Sequence, residues 1–463
     1  MKYDCFKRLK LLPFICMLFG MFPLSLKMEA QNLSQSPFGR YTLGDQLPNP
    51  SSWVQALGGN LVAFSDSSLL NLDQPASLAS LGRGVSIFEG SFTGEIKDYT
   101  LPASSARGVN AGYSSLALAF PILRKYWITS VHLMPITNMG YTLRDSTETT
   151  GEGQVLFDYN GSGGISALGS SHGIRLGNSL ALGFEFRYLF GKTQYSSETY
   201  FPDQISLVRG SRILGNNRIS GFDSKAGITF QHCFKTRKTH WSSDTTKIRR
   251  SARVQKDSLQ LKIGFSYRPL AHISGSSTYL AESFFGTSNL NTIVDTVLLR
   301  NSDNGKVVMP SQIAAGFSLA SSSNKWLFTA SWRYTDWSGF SVFGAPDSVK
   351  IQNVYSAGLQ WTPNPNVRRG LFKKAQYRIG GYYSDGYLSL RGQAVEETAI
   401  TFGMGLPFDL PTYYRKPVRS MVNFAVTAGQ RGNVSTTLLQ ERFVRLSISF
   451  TLSDRWFIRT RFE

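Results

Sequence analysis

The sequence predicts an all-β fold, a transmembrane antiparallel barrel of about fourteen strands with an N-terminal plug, and three observations carry that prediction. Long segments alternate strictly between apolar and polar or small residues. The segments run to roughly 10 to 14 residues, where a soluble strand averages about 5 to 6. No run of 18 consecutive apolar residues follows the first thirty positions of this 463-residue chain, so no helix of the remainder is expected to span a bilayer. Between Asn178 and Gly191 one parity reads Leu180, Leu182, Phe184, Phe186, Tyr188, Phe190, and the other Ser179, Ala181, Gly183, Glu185, Arg187. Leu259 to Pro269 and Val444 to Leu452 repeat the pattern. Successive side chains of a strand point to opposite faces, so each of these segments separates two environments. A soluble sandwich would alternate in the same way with its apolar face inward. Strand length, and aromatic residues such as Trp326, Phe328, Trp332 and Tyr334 near strand ends, favour the barrel, where they form interfacial girdles.

At the N-terminus, Lys2, Lys7, Arg8 and Lys10 precede an apolar stretch from Leu11 to Leu26, and a small residue at Ala30 offers a cleavage point. Residues 1–30 therefore read as a secretory signal peptide. Its removal would also remove Cys5 and Cys16, leaving Cys233 and no intramolecular disulfide. Residues 31–83 lack strand alternation and contain helix-like pieces at Ser51 to Leu57 and Pro75 to Leu81, and are expected to form a hatch in the lumen. Barrels wider than about eight strands otherwise leave an aqueous channel. Residues 84–463 supply the barrel, with candidate strands at 84–97, 108–121, 127–143, 163–175, 179–197, 217–235, 256–271, 309–321, 325–337, 350–362, 375–385, 397–407, 419–430 and 441–452. Connections after the second, fourth and eighth of these are short, and those after the third, fifth and seventh are long, which puts the short turns on the periplasmic side and the long loops outside.

The chain resembles the FadL-like outer-membrane transporters of hydrophobic compounds, in a divergent Bacteroidota branch. The resemblance rests on Ser36-Pro37-Phe38-Gly39-Arg40-Tyr41 with Leu43-Gly44-Asp45, on Asp73-Gln74-Pro75-Ala76-Ser77-Leu78-Ala79, and on Leu452 to Ile458. The middle block is similar to the family's hatch motif, with Gln74 in place of Asn, followed by Pro75, Ala76 and Ala79. It implies a fourteen-stranded plugged barrel and transport of hydrophobic small molecules such as fatty acids across the bacterial outer membrane. The alternative is a barrel subunit or scaffold of an outer-membrane assembly or secretion complex.

In the third candidate strand, Pro135 and Gly140 interrupt a lengthy apolar pattern. Proline removes a ladder donor and marks a bulge or a break in pairing. The resemblance implies a kink here that opens the wall sideways, so Met134, Pro135, Ile136, Met139 and Gly140 are expected to border a lateral gap. An ordinary bulge is the simpler alternative. The external loop 272–308 carries Tyr279, Phe284 and Phe285 and is apolar enough to capture ligand or to pack over the barrel mouth.

The chain carries a net charge of +19, and the excess divides by side. The expected periplasmic connections and tail hold 17 basic and 4 acidic residues, and the expected external loops 8 basic and 12 acidic. Arg249 and Arg250 in one basic loop, and Arg368 and Arg369 in another, are candidates for docking an acidic periplasmic or outer-membrane partner or anionic lipid. Nucleic acid is not expected as a partner of an exported barrel. The five histidines show no metal-ligand spacing, so no metal or cofactor is expected. No Ser, His and Asp constellation stands out from chance, so the chain is not expected to be an enzyme.

Overall fold

The computed structural model describes residues 36–82, 84–102, 104–123, 126–149, 153–204, 208–237, 256–286, 291–321, 323–365, 370–409, 419–437 and 439–455. The proposed signal peptide, Arg249, Arg250, Arg368 and Arg369 lie outside the described residues.

Sixteen long strands follow the N-terminal segment: β1 (Val85–Thr100), β2 (Ser105–Leu123), β3 (Trp127–Thr149), β4 (Gly153–Leu176), β5 (Leu180–Tyr200), β6 (Gly210–Arg237), β7 (Lys256–Arg268), β8 (Ala271–Gly286), β9 (Asn291–Met309), β10 (Ser311–Ser321), β11 (Trp326–Asp336), β12 (Gln352–Trp361), β13 (Gln376–Ser384), β14 (Glu397–Asp409), β15 (Arg419–Arg431) and β16 (Gln440–Arg455). Fourteen of them, all but β8 and β9, form a closed antiparallel ring. Pairing of β1 with β16 along its whole length, Val85 opposite Arg455 to Thr100 opposite Gln440, completes the circle. The β8–β9 hairpin stands above β7. The second half of β6 pairs with β7 from Ala226 to Arg237, and its first half pairs with β8 from Gly210 to Ser220.

The ring has its polarity inside out. Phe186, Tyr188 and Phe190 on β5, Ile263, Phe265 and Tyr267 on β7, Ile400 and Phe402 on β14, and Val444, Leu446, Ile448, Phe450 and Leu452 on β16 are exposed on the outer surface. The intervening residues, among them Glu89, Glu95, Lys97, Glu185, Arg187, Asp223, Lys225, Arg378, Arg445 and Thr451, are buried. A soluble protein rarely exposes a contiguous apolar patch above a few hundred Å². A belt around the whole ring is instead what hydrocarbon covers, and a closed ladder leaves no unpaired strand edge in it. Replacing Phe402 by Arg is expected to destabilise the folded protein in lipid vesicles by about 2–4 kcal/mol, the cost of a cation near the bilayer midplane, read from denaturant titration against wild type.

The wall is lopsided. Strands β3 to β6 contain 23, 24, 21 and 28 residues, whereas β10 to β13 contain 11, 11, 10 and 9. A spanning strand needs about 9–11 residues, so at ~3.3 Å per residue β3 to β6 rise ~30 Å or more beyond the belt. This corrects the long external loops expected at 144–162 and 198–216, which are largely continuations of paired strands. It also corrects the loop at 272–308, which is the β8–β9 hairpin. Their polar, Gly-rich stretches give no alternation, but ladder hydrogen bonding to long neighbours keeps them extended.

Residues 36–82 lie inside the ring. The short helix Ser52–Gln55 and the following residues bury Trp53, Val54, Leu57, Leu61 and Phe64 against Ala320, Leu327 and Met421 of the wall. The Trp53 indole N–H donates to the Leu70 carbonyl at 3.1 Å. Leu70, Leu72, Leu78 and Leu81 pack on Ile87, Ala117, Ala119, Ile128 and Met134. Above them, Phe38 and Leu43 join a third cluster with Ile165, Leu189, Trp337 and Tyr387.

Candidate functional site

The site begins at a break in the ladder. β2 and β3 pair only from Leu123 opposite Trp127 to Leu116 opposite Leu133. Past that point β2 keeps its other neighbour, β1, as far as Ser105. The β3 edge turns instead to the plug: Asp45 and Gln46 pair with Asn138 and Thr137, the Leu47 N–H donates to the Ile136 carbonyl at 3.0 Å, and the Ser36 N–H to the Gly140 carbonyl at 2.9 Å.

A bulge sits at the start of this seam. On the β4 side the register steps from Pro135 opposite Ser166 to Thr137 opposite Ile165, so Ile136 is an extra residue. Proline at 135 has no N–H to contribute, which removes the local penalty for a missing rung. Across the bulge, Gly163 and Gly164 take φ of +110° and +158°. A Cβ at Gly164 would stand 2.4 Å from the Thr137 carbonyl oxygen, so glycine is required for the close approach. The Thr137 hydroxyl donates to the Leu43 carbonyl at 2.8 Å, tying the bulge to the plug.

A cavity of about 750 Å³ opens at the seam. Ala106 and Gly108 of β2 line one side and Gly140 to Leu143 of β3 the other, with Tyr99, Tyr141, Tyr195 and Leu280 among its walls and Pro37 of the plug beside them. Two glycines shape it. Tyr141 is opposite Gly161 and Tyr195 opposite Gly215, and a Cβ at either glycine would lie about 2.2 and 2.1 Å from the facing ring. Each ring therefore lies flat over its glycine instead of standing into the cavity. The volume falls within the ~300–1,000 Å³ typical of small-molecule pockets.

The expected residues are partly redistributed. Pro135 and Ile136 form the bulge and Gly140 lines the cavity, but Met134 points into the core shared with Leu78, and Met139 is buried. The β2 edge and the tyrosine and glycine pairs were not singled out by sequence reasoning; an aromatic facing a glycine across strands is visible only once register is known. Tyr279, Phe284 and Phe285, expected on an external loop, sit on β8, where Phe284 is fully buried beneath the Arg212 guanidinium, 5.1 Å from its ring centre. They contribute to the raised wall.

The hatch motif is a contact surface. The 3₁₀ helix Pro75–Ser80 starts at Gln74, whose amide donates to the Phe265 carbonyl at 3.0 Å. Ala76 and Ala79 pack with Ala181 of β5. A Cβ at Gly183 would come within 2.1 Å of the Ala76 nitrogen, and one at Gly264 within 2.1 Å of the Val62 carbonyl oxygen, so these wall glycines are seats for plug backbone. Higher in the lumen, Asp45 receives the Arg431 guanidinium at 2.6 Å and the Lys97 ammonium at 3.6 Å, and Lys97 also faces Glu441 and Glu95 at 3.7 and 3.8 Å. The nearby Tyr387 hydroxyl, in the β13–β14 connection, is pushed well above its usual range by burial and by Asp45.

The architecture belongs to a known class. The Pseudomonas putida toluene transporter TodX superposes with a TM-score of 0.55 at 14% identity, over 90% of this chain and 100% of that one. The Ralstonia pickettii toluene transporter TbuX gives 0.53 at 13% over 88% and 98%, and a Pseudomonas aeruginosa FadL homologue 0.54 at 10% over 90% and 100%. The protein therefore has the fold of the FadL-type outer-membrane barrels. It belongs to the BamG family, whose model matches residues 13–257 and 250–463. No curated protein sequence matches it significantly.

Proposed function

We propose that the protein is an outer-membrane channel for hydrophobic small molecules, which enter the seam cavity from the raised rim and leave sideways between β2 and β3 into the bilayer. The observation that carries this reading is the position of the cavity: both unzipped strand edges line it, and the plug caps the β3 edge that would otherwise be unpaired. Toluene transporters and a FadL homologue share the fold. Fatty acids suit the same apolar walls, since each buried methylene contributes about 0.8 kcal/mol. In this reading the raised rim is external, residues 1–30 direct export, residues 31–83 act as the hatch, and outer-membrane lipid surrounds the belt.

The test is uptake of radiolabelled toluene and of a long-chain fatty acid into proteoliposomes. Gly161→Val with Gly215→Val forces both tyrosine rings off the wall and into the cavity, and uptake is expected to fall at least fivefold while the barrel still folds. Wild-type uptake by this variant would remove the cavity from the route. Pro135→Val restores a donor at the bulge and is expected to slow uptake in the same assay; full retention would count against sideways release.

A second reading, a non-transport subunit of an outer-membrane assembly, is favoured by the way the plug is pinned on several sides by wall glycines and by ion pairs, two of them buried. Its basic turn-side loops, with Arg249, Arg250, Arg368 and Arg369, would then dock an acidic protein partner. Purification at native abundance separates the two: a transporter runs alone with apolar ligand bound, and a subunit with a stoichiometric protein partner.

A further inference from the structure

On the short side of the ring the lipid belt ends at a well-defined edge. Strands β10 to β13 contain 11, 11, 10 and 9 residues, just the ~9–11 that cross a bilayer, so their terminal outward residues mark where hydrocarbon gives way to headgroups. On the turn side those residues are Trp326, Trp361 and Tyr377, which stand opposite one another on β11, β12 and β13. The rings of Trp361 and Tyr377 are 5.9 Å apart. Aromatic residues at this depth form an interfacial girdle.

The connection from β12 to β13 stays beside that girdle. It ends in a single helical turn, Leu371–Lys374, and the Tyr377 hydroxyl donates to the Phe372 carbonyl at 3.2 Å. Phe372 is 66% exposed and Leu371 46%. Two large apolar side chains next to a row of aromatic rings extend the apolar belt to the acyl-chain boundary, where an amphipathic turn buries such residues. Charge completes the pattern. The Thr362 N–H donates to the Lys325 carbonyl at 2.7 Å and the Asn364 N–H to the Lys373 carbonyl at 2.8 Å, so both lysine-bearing segments border residues 362–364. Residues 322–325 and 362–375 contain Lys325, Arg368, Arg369, Lys373 and Lys374 and no Asp or Glu. Lysine stems run along apolar surface while their ammonium groups reach the headgroups.

We propose that this edge binds an anionic glycerophospholipid of the turn-side leaflet, its phosphate among Lys325, Lys373 and Lys374 and its acyl chains against Phe372 and the girdle. The occupant is lipid because the exposed apolar residues continue the belt, and anionic because the connections carry only positive charge. The site goes beyond transport and rests on the membrane-spanning barrel alone, so its failure leaves the seam untouched.

The test is equilibrium binding. Purified full-length protein in non-ionic detergent is titrated with phosphatidylglycerol or with phosphatidylcholine of identical chains, and bound lipid is read by native mass spectrometry. Phosphatidylglycerol is expected to bind ~10-fold more tightly, and Lys325→Gln with Lys373→Gln and Lys374→Gln to bring the ratio within ~2-fold of one. The exposed cations Lys192 on β5, Arg218 on β6 and Arg300 on β9 supply the control. Changing these three to Gln removes the same charge far from the edge and is expected to keep the preference. Phe372→Ser is expected to weaken both lipids ~3-fold and leave their ratio unchanged. Equal binding of the two lipids by wild type, the result expected if these lysines serve an acidic protein instead, would overturn the proposal. So would the same loss of preference in the control, which would reduce it to net charge, or unaltered lipid binding in Phe372→Ser.

Discussion

Gly183→Leu is expected to unseat the plug. The added side chain must start within 2.1 Å of the Ala76 nitrogen and 2.3 Å of the Pro75 carbonyl carbon. Both are backbone atoms held by the 3₁₀ turn Pro75–Ser80, so no rotamer change relieves the overlap. The wall yields little, because Gly183 pairs on both sides, with Gly173 and with Gly227. Of the two bodies the luminal segment, held by short turns rather than by a continuous ladder, is the one expected to move. Ordinary overpacking costs ~1–3 kcal/mol, and collision with fixed backbone belongs at or above the top of that range. The ring is held by its own ladder and by lipid, so the variant is expected to retain the heat-modifiable electrophoretic mobility of a folded barrel. Its single-channel conductance in planar bilayers should rise several-fold, because a ring of fourteen strands without its plug is wide enough to hold water. A folded variant that conducts like wild type would show that residues 75–79 are not what closes the lumen. Gly264→Leu, against Val62, repeats the experiment at a second seat.

Lys97→Met carries the second large expectation, a loss of about 3–5 kcal/mol of stability. Lys97 is buried on β1 with three carboxylates around it, Asp45 at 3.6 Å, Glu441 at 3.7 Å and Glu95 at 3.8 Å. Arg431 and Arg445 compensate part of that charge, at 2.6 Å from Asp45 and 3.0 Å from Glu95. Glu441 keeps the Ser36 hydroxyl but loses its nearest cation. Breaking a buried pair by removing one partner typically costs ~3–5 kcal/mol, because the stranded charge remains desolvated. The measurement is urea unfolding in vesicles. The double variant Lys97→Met with Glu441→Gln should recover part of the loss, since the repulsion it relieves exists only when the lysine is absent. Strict additivity of the two single changes would remove Lys97 from the network.

Much of the wall was legible in advance because alternation is a local property. Each of the fourteen candidate segments contains or overlaps a ring strand, and the charged parity of Glu185 and Arg187, or of Lys262 and Arg268, is the lumen side. The glycines in that parity, Gly183 and Gly264, were visible as small residues, but their purpose depends on plug backbone more than a hundred residues away. Strand ends were less legible. In β3 to β6 the stretches above the belt face water on the outside, so the hydrocarbon that enforces an apolar outer parity no longer acts on them. The same holds for β8 and β9, a paired hairpin whose sequence carries no apolar outer parity and so reads as a loop.

The number of ring strands and the inside-out polarity are legible in the sequence, because both follow from which solvent each side chain meets. Pro135 likewise announced a disturbance in the third strand. What that disturbance accomplishes depends on partners from elsewhere in the chain: β2 leaves β3 after Leu133, the luminal segment takes over the abandoned edge, and Tyr141 and Tyr195 lie over glycines to leave a cavity there. Alternation is written into a single strand, whereas a seam is a relation between two strands and the segment that intervenes, and nothing local to either edge specifies it.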